Sequence, residues 1–97
     1  MNLGDTIKQE RKKRGYSQFQ FAGMCHISIT YLSLIETNKK EPAVSLLKVI
    51  CDNLNLPLPI LFFLSLDTQD IPSEKVHIYN ILKPSLENTI SNLFLDD

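Results

Sequence analysis

Apolar side chains recur at steps of three and four residues along most of the chain, which is the spacing of one face of an α-helix. No segment alternates apolar and polar residues over the length of a strand. In the first run, Leu3, Ile7, Glu10 and Arg14 fall on successive turns, and a glycine follows where helices commonly end. The pattern predicts an all-α protein whose first helix covers residues 5–14.

Two short helices are predicted within residues 17–36. Ser17 followed three places later by Gln20 is a capping box, in which each side chain satisfies a free backbone N–H group near the other. The helix that begins there can be only about eight residues long, because Ser28 is another residue of N-cap type and helical spacing resumes after it. We therefore predict two helices joined by a tight turn, the second ending near Thr37.

The second of these helices has two unlike faces. Leu32 and Ile35 lie three residues apart and predict its buried side. The opposite side of this third predicted helix (α3, about residues 28–37), which we call the α3 arc, contains no charged residue. It consists of Thr30, Ser33, Leu34 and Thr37, with Ile29 and Tyr31 on its flanks.

The remaining apolar positions predict two more helices and a helical tail. Leu46, Leu47 and later apolar residues indicate a helix over 43–54, and the very apolar stretch that follows indicates a short helix near 58–65. After a loop, a stripe at helical spacing predicts a helix that packs on a partner. Pro84 interrupts it, so we expect a kink or two helices meeting there. The stripe consists of Tyr79, Leu82, Leu86, Ile90 and Leu93.

Composition indicates a small globular protein. A chain of 97 residues with 43% apolar side chains fits one domain with a modest core. Its net charge of −1 hides an asymmetry, because residues 1–66 carry eight Lys/Arg against five Asp/Glu, whereas residues 67–97 carry two against six. A basic first part is compatible with an anionic partner, although solvated charged faces give the same count.

Candidate chemistry adds little to this picture. Cys25 and Cys51 lie in apolar stretches and form no Cys-x-x-Cys pair, so we interpret them as buried free thiols. Together with His26 and His77 they lack metal-ligand spacing, and we expect no metal and no cofactor. There is no hydrophobic leader or membrane-length apolar run, so we expect a cytoplasmic protein without a membrane partner. An enzyme is the weakest hypothesis, because no nucleophile with a base and no phosphate-binding glycine loop is found.

Two short helices joined by a tight turn and flanked by basic segments are the layout of a helix-turn-helix. In that layout the first helix braces across a phosphate backbone and the second enters the major groove, which is about 12 Å wide. The pattern in this chain is carried by Leu3, Ile7, Arg11, Ser17, Gln18, Phe21, Ala22, Ile27, Ser28, Leu32, Ser33, Ile35, Glu36, Pro42 and the apolar positions of the fourth helix.

As a set, these residues resemble the Cro/repressor-type (XRE) helix-turn-helix regulators over residues 3 to about 63. The stretch “TYLSLIETN” is also similar to the controller proteins of restriction-modification systems. The resemblance implies a five-helix lambda-repressor-like DNA-binding domain at residues 1–66. Residues 67–97 would then be an acidic helical extension that dimerises or caps the domain.

The resemblance implies contacts with double-stranded DNA at named positions. Gln18 and the loop lysines Lys39 and Lys40 would contact phosphates. Arg11 and Glu36 would form an ion pair that links the first helix to the third, and its loss should mainly cost stability. The positions implied to face bases or adjoining backbone are Ser28, Ile29, Thr30 and Leu34, and the expected interface also includes Tyr31, Ser33 and Thr37, with Tyr31 either a phosphate donor or a packing residue.

Several positions depart from the family pattern. Ile29 and Leu34 stand where relatives often have Arg, Gln or Lys, so they can contact thymine methyls but cannot hydrogen-bond guanine or adenine. His26 and Asn38 replace turn glycines, which is tolerable because both residue types accept positive φ. Phe19 replaces a typical surface Glu and suggests an exposed apolar contact.

The basic end of the first helix allows two interpretations. Lys13 and Arg14 could contact phosphates, but cations are also favoured at a helix C-terminus by the helix dipole. The loop lysines directly follow the third helix, and for them a phosphate contact is the better hypothesis.

The apolar residues of the fifth helix and the tail exceed what one small core can bury. A homodimer is the simplest explanation, because two helix-turn-helix units related by a two-fold axis read half-sites one helical turn apart. The alternative is that the tail only covers the fifth helix of its own chain. The expected dimer contacts are Leu61, Phe62, Phe63, Tyr79, Leu82, Leu86, Ile90 and Leu93.

The leading functional prediction is a sequence-specific DNA-binding transcriptional regulator. The alternative is an antitoxin-like module that neutralises a protein partner through its tail or its Phe62/Phe63 surface and regulates its own gene.

Overall fold

The computed structural model describes residues 1–95, and within them it contains six α-helices and no strand. The helices are α1 (Leu3–Lys13), α2 (Gln18–Met24), α3 (Ile29–Glu36), α4 (Val44–Leu54), α5 (Leu58–Ser65) and α6 (Val76–Phe94). Two short 3₁₀ turns, Thr68–Asp70 and Ser73–Lys75, connect α5 to α6. The predicted all-α fold, with five helices and a C-terminal helical extension, is confirmed. Asp96 and Asp97 of the predicted tail lie outside the described residues.

The helix ends follow from local capping. The Ser17 hydroxyl accepts a hydrogen bond from the Gln20 N–H, and the Gln20 side chain accepts from the Ser17 N–H, so the predicted capping box is present. Helix α1 begins earlier than predicted, because Asn2 acts as its N-cap and accepts from the Asp5 N–H at 3.2 Å.

Three residues other than glycine have positive φ. His26 at 59° and Asn38 at 61° adopt the left-handed conformation that was predicted for both. Asn55 at 55° ends α4 in the same way, and its role was not predicted. Asparagine and histidine therefore replace glycine at turns where the chain must reverse direction.

The hydrophobic core lies entirely between α1 and α5. Its buried members are Ile7, Phe21, Ala22, Cys25, Leu32, Ile35, Leu47, Ile50, Cys51, Leu54, Leu56 and Leu61. The Tyr16 ring stacks on Phe21 with the centroids 6.0 Å apart. Leu61 is fully buried where α5 packs against α1 and α4, so the prediction that it lies on a dimer surface is wrong. Every position of α5 is apolar or small, and the sequence therefore could not indicate which side faces inward.

Helix α6 is attached to the other helices by few contacts, and none of its residues is buried. The Tyr79 hydroxyl donates to the Leu66 carbonyl at 3.0 Å, and Phe94 packs against the edge of the core. The helix runs without a break through Pro84, so the alternative prediction that two helices meet there is wrong. Proline removes a single N–H donor from this 19-residue helix, which leaves the Asn80 carbonyl without its usual partner.

Among residues 1–95 no single helix is long and apolar enough to cross a membrane. Helices α4 and α5 reach the required length and hydropathy only as a pair, and the pair is bent by 95°.

Candidate nucleic-acid interface

The third helix presents one side to the core and the opposite side to solvent. Leu32 and Ile35 are buried, as predicted. On the α3 arc, Thr30 and Thr37 are exposed and Leu34 is half-buried. The helix has eight residues, which corresponds to a rod of about 12 Å, short enough to lie within one major groove. Of the remaining candidates, Ser28 and Ile29 are exposed, and Tyr31 and Ser33 are half-buried.

Hydroxyl groups along α3 differ in what they can still bind. Ser28 caps the helix by accepting from the Tyr31 N–H at 3.0 Å, and its own O–H remains able to donate to an acceptor such as a phosphate oxygen. Thr37 donates its hydroxyl hydrogen to the Ser33 carbonyl at 2.8 Å. In that geometry Thr37 can only accept, and phosphate oxygens also only accept. Ser28 is therefore the better phosphate ligand of the two.

The loop that follows α3 holds two lysines outward. The backbone N–H groups of Lys39 and Lys40 both donate to the Leu34 carbonyl, at 2.9 and 3.1 Å, and so close the end of the helix. Both side chains are exposed, and neither ammonium group forms an ion pair within the described part of the chain. Two cations thus project from a fixed backbone next to the α3 arc.

A buried ion pair fixes α3 against α1. Arg11 donates to both carboxylate oxygens of Glu36, with Nε–Oε2 at 2.7 Å and Nη2–Oε1 at 3.0 Å, as the resemblance implied. The two side chains are only 6% and 1% exposed. The Arg11 Nη1 also donates to the Tyr16 carbonyl at 2.8 Å. A charge pair that is bonded so completely orients α3 relative to α1.

Gln18, the expected phosphate contact of α2, is bonded to this ion pair. Its Nε2 donates to Glu36 Oε1 at 2.9 Å. An amide nitrogen carries two hydrogens, so one N–H remains for a second acceptor. The contact with Glu36 therefore holds the Gln18 amide in one orientation at the start of α2.

The two basic residues at the end of α1 bond to carbonyl and carboxylate groups of the same chain. Arg14 donates from Nε to the Leu54 carbonyl and from Nη1 to the Glu10 carbonyl, both at 2.7 Å, and its side chain is 9% exposed. Lys13 pairs with the Glu10 carboxylate at 2.9 Å. These contacts favour the structural interpretation of both residues over a phosphate contact.

An amide contact between α1 and the end of α3 was not predicted. Asn38 Oδ1 accepts from the Gly4 N–H at 3.0 Å, and Asn38 Nδ2 donates to Asn2 Oδ1 at 2.8 Å. Gly4 is required there, because a Cβ at this position would collide with the Ile35 carbonyl. The only signal in the sequence was the N-cap type of Asn2, which indicates a helix start but not a distant partner.

Helix α6 carries an exposed apolar surface, which we call the outer α6 face. It consists of Ile78, Ile81, Leu82, Leu86 and Leu93, whose exposed fractions range from 42% to 69%. Leu82, Leu86 and Leu93 were predicted as dimer contacts. Tyr79 and Ile90, which were predicted with them, are half-buried. Phe62 and Phe63 on α5 are half-buried, and Phe62 packs against the core of its own chain. Phe19 on α2 is 74% exposed.

Both cysteines are buried free thiols, as predicted. Burial raises the pKa of Cys25, and it raises the pKa of Cys51 to about 11, since the charged thiolate is disfavoured away from water. Within residues 1–95, no group of three or more His, Cys, Asp or Glu side chains is arranged to hold a metal ion.

Comparisons with known proteins agree with this geometry. The profile of the helix-turn-helix family HTH_3 matches residues 7–61, which is more than half of the chain. The chain is 36% identical over 58 residues to the transcriptional regulator ClgR of Mycobacterium tuberculosis, in both strain CDC 1551 / Oshkosh and strain ATCC 25618 / H37Rv. The match covers 60% of this chain and 52% of the relatives, so the chain spans about half the length of the curated relatives it matches.

A solved structure is similar in fold. The crystal structure of the clp gene regulator ClgR from Corynebacterium glutamicum superposes with a TM-score of 0.64 over 93% of this chain and 87% of that one. At 19% sequence identity, this likeness supports the fold alone.

Proposed function

Because the chain belongs to the helix-turn-helix family HTH_3, we propose that it is a sequence-specific DNA-binding transcriptional regulator that inserts α3 into the major groove. The observation that carries the proposal is the uncharged α3 arc, which faces solvent next to two free lysines. Residues 1–66 are the DNA-binding part in this proposal, and residues 67–97 are the dimerisation element.

Phosphate contacts come from the edges of this surface. Gln18 offers its second amide hydrogen at the start of α2, and Ser28 offers its hydroxyl hydrogen at the start of α3. Lys39 and Lys40 supply the positive charge from the loop after α3. Such contacts position the protein on DNA without selecting a sequence, and they make affinity fall with salt.

Base selection comes from the middle of the surface. The exposed Thr30 hydroxyl can donate to or accept from a base edge, whereas Ile29 and Leu34 can make only apolar contacts, such as with a thymine methyl. Ser33 is half-buried, and its small side chain allows DNA to approach the centre of the α3 arc closely. We therefore expect operators in which thymine is preferred at two positions of each half-site.

A second copy of the chain is the partner that we propose for the outer α6 face. Five apolar side chains on a helix of about 28 Å are exposed to solvent in the single chain, and association would remove them from water. A two-fold dimer would place the two α3 helices at half-sites about 34 Å apart.

DNA selection from a random pool, followed by binding measurements over a range of salt, tests the DNA-binding part. Lys39→Ala should weaken binding to all sequences equally and reduce the log–log salt slope of the dimer by about two, one for each subunit. Thr30→Ala should instead change base preference by about 1 kcal/mol at one position. Lys75→Ala removes an exposed lysine from the linker before α6 and should change neither quantity. If the wild type selects no sequence at low salt, the proposal fails.

Sedimentation tests the dimer. The wild type should have twice the mass of the chain, and Ile81→Ser with Leu82→Ser should give a monomer. Phe19→Ser removes an even more exposed apolar side chain outside α6 and should leave the dimer intact. A wild-type monomer that still selects DNA would exclude the second copy and leave a different protein as the occupant of the outer α6 face.

A further inference from the structure

Asn38 carries a side chain at a position where the family pattern has glycine. The residue ends α3 with φ of 61°, which glycine adopts freely and asparagine tolerates. Its amide uses both ends, because Oδ1 accepts from the Gly4 N–H and Nδ2 donates to Asn2 Oδ1. A glycine at this position would allow the same backbone but neither hydrogen bond.

These bonds restrain a part of the chain that the buried ion pair does not reach. The Arg11–Glu36 pair holds the last residue of α3. The two lysines lie beyond it, and their backbone bonds return only to Leu34 on the same helix. The contacts of Asn38 with Asn2 and Gly4 therefore connect the start of this loop to a different helix.

The anchoring side is itself well fixed. Asn2 Oδ1 also accepts from the Asp5 N–H, and the Asn2 N–H donates to the Ser65 carbonyl at 2.8 Å, which ties the residue to the end of α5. Gly4 is buried against the Ile35 carbonyl, where its missing Cβ permits the close approach of α1. Asn38 thus bonds to a segment that both α1 and α5 hold in place.

We propose that Asn2 and Asn38 form a latch that sets the position of Lys39 and Lys40 relative to α3 and thereby determines how well both lysines reach DNA phosphates. The latch rests on the proposed DNA-binding function and adds to it a positioning residue that touches no DNA. A purely structural role would lower stability alone, whereas a positioning role also changes the affinity and salt dependence of the folded protein.

Three substitutions separate these roles. Asn38→Gly keeps the left-handed backbone and removes both amide bonds. Asn2→Ala removes the acceptor, although it also removes the N-cap of α1. Asn2→Asp is the control that keeps the acceptor, because the Asn2 side chain only accepts in this structure and a carboxylate oxygen can accept from both Asp5 and Asn38. The negative charge that it adds near DNA is screened at high salt.

Binding to a selected operator is measured over a range of salt at a temperature where urea unfolding shows each variant to be fully folded. Asn38→Gly and Asn2→Ala should each weaken binding by about fivefold, because the released loop must be ordered when DNA binds, at a cost comparable with one or two immobilised side chains. Both should reduce the salt slope by about one, since a displaced lysine neutralises its phosphate less completely. Asn2→Asp should bind as the wild type does at the high-salt end of the range, where its added negative charge is screened.

Three results would overturn the latch. If folded Asn38→Gly has the affinity and salt slope of the wild type, the latch is overturned and the proposed function stands. If Asn2→Asp weakens binding as much as Asn2→Ala at high salt, where its added charge is screened, the acceptor at residue 2 is not the cause and the latch is also overturned. If the wild type itself binds no DNA, the proposed function fails and the latch fails with it.

Discussion

Helices α1 to α5 and helix α6 use similar apolar patterns with opposite results. Among residues 1–95, all of the buried apolar residues lie between Ile7 and Leu61, whereas α6 buries none of its side chains and exposes five large apolar ones. In both regions apolar residues recur at three- and four-residue steps. A helical stripe therefore predicts that a face requires a partner, but it does not identify the partner.

Charged residues differ between the two regions in the same way. Within α1 to α5, Arg11 is paired with Glu36 out of contact with water, and Arg14 is bonded to Glu10 and Leu54. On α6, Lys83 and Glu87 are 3.8 Å apart and partly exposed. Burial makes the first kind of pair expensive to break, and solvent makes the second kind nearly dispensable.

Removing one partner from each kind of ion pair should give the largest difference between the two regions in the free energy of unfolding. Arg11→Ala leaves the Glu36 carboxylate buried without its cation, and we expect a loss of about 3–5 kcal/mol in the free energy of unfolding. Lys83→Ala should cost less than about 1 kcal/mol. Urea unfolding followed by circular dichroism measures both. Equal losses would contradict the distinction between the two regions.

Truncating one leucine in each region should give the next largest difference in the free energy of unfolding. Leu61→Ala opens a cavity in the core and should cost about 2–5 kcal/mol. Leu82→Ala should change the stability of the monomer by less than about 0.5 kcal/mol, since the side chain is half-exposed in the single chain. Unfolding at a protein concentration low enough to keep the chain monomeric provides the test. A loss at Leu82 as large as that at Leu61 would mean that α6 is covered within one chain.

Alkaline pH should weaken the five-helix region through Cys51. The pKa of this thiol is raised by burial from 9.0 to about 11, so the unfolded chain loses its proton at lower pH than the folded chain. Below pH 9 the thiol is protonated in both states and does not affect the free energy of unfolding. As the pH rises to 11, the free energy of unfolding falls by up to about 2 kcal/mol. Comparing the pH dependence of unfolding in the wild type and in Cys51→Ala isolates this contribution. Identical pH profiles would exclude it.

The local features of the fold could be predicted from the sequence. The capping box at Ser17, the turn residue Asn38 and the two sides of α3 each depend on neighbours within a few positions, and those neighbours are visible in one sequence. The turn at His26 was implied only by the family pattern. The Arg11–Glu36 contact joins residues 25 apart, and it was implied only by resemblance to a family.

The features that were not predicted depend on distant partners. Arg14 bonds to a carbonyl 40 residues away, and Asn38 bonds to a side chain 36 residues away. In neither case does the residue type indicate its partner. The burial of Leu61 was missed because α5 has no polar face that would orient it.

The tyrosines provide an optical consequence of this architecture. The chain contains no tryptophan and three tyrosines, so its near-ultraviolet emission comes from tyrosine. Tyr16 stacks on Phe21 at the core, Tyr31 borders the α3 arc, and the Tyr79 hydroxyl joins α6 to Leu66. Three chromophores thus mark three separate parts of the molecule, and versions that keep only one of them would let fluorescence follow each part without an attached dye.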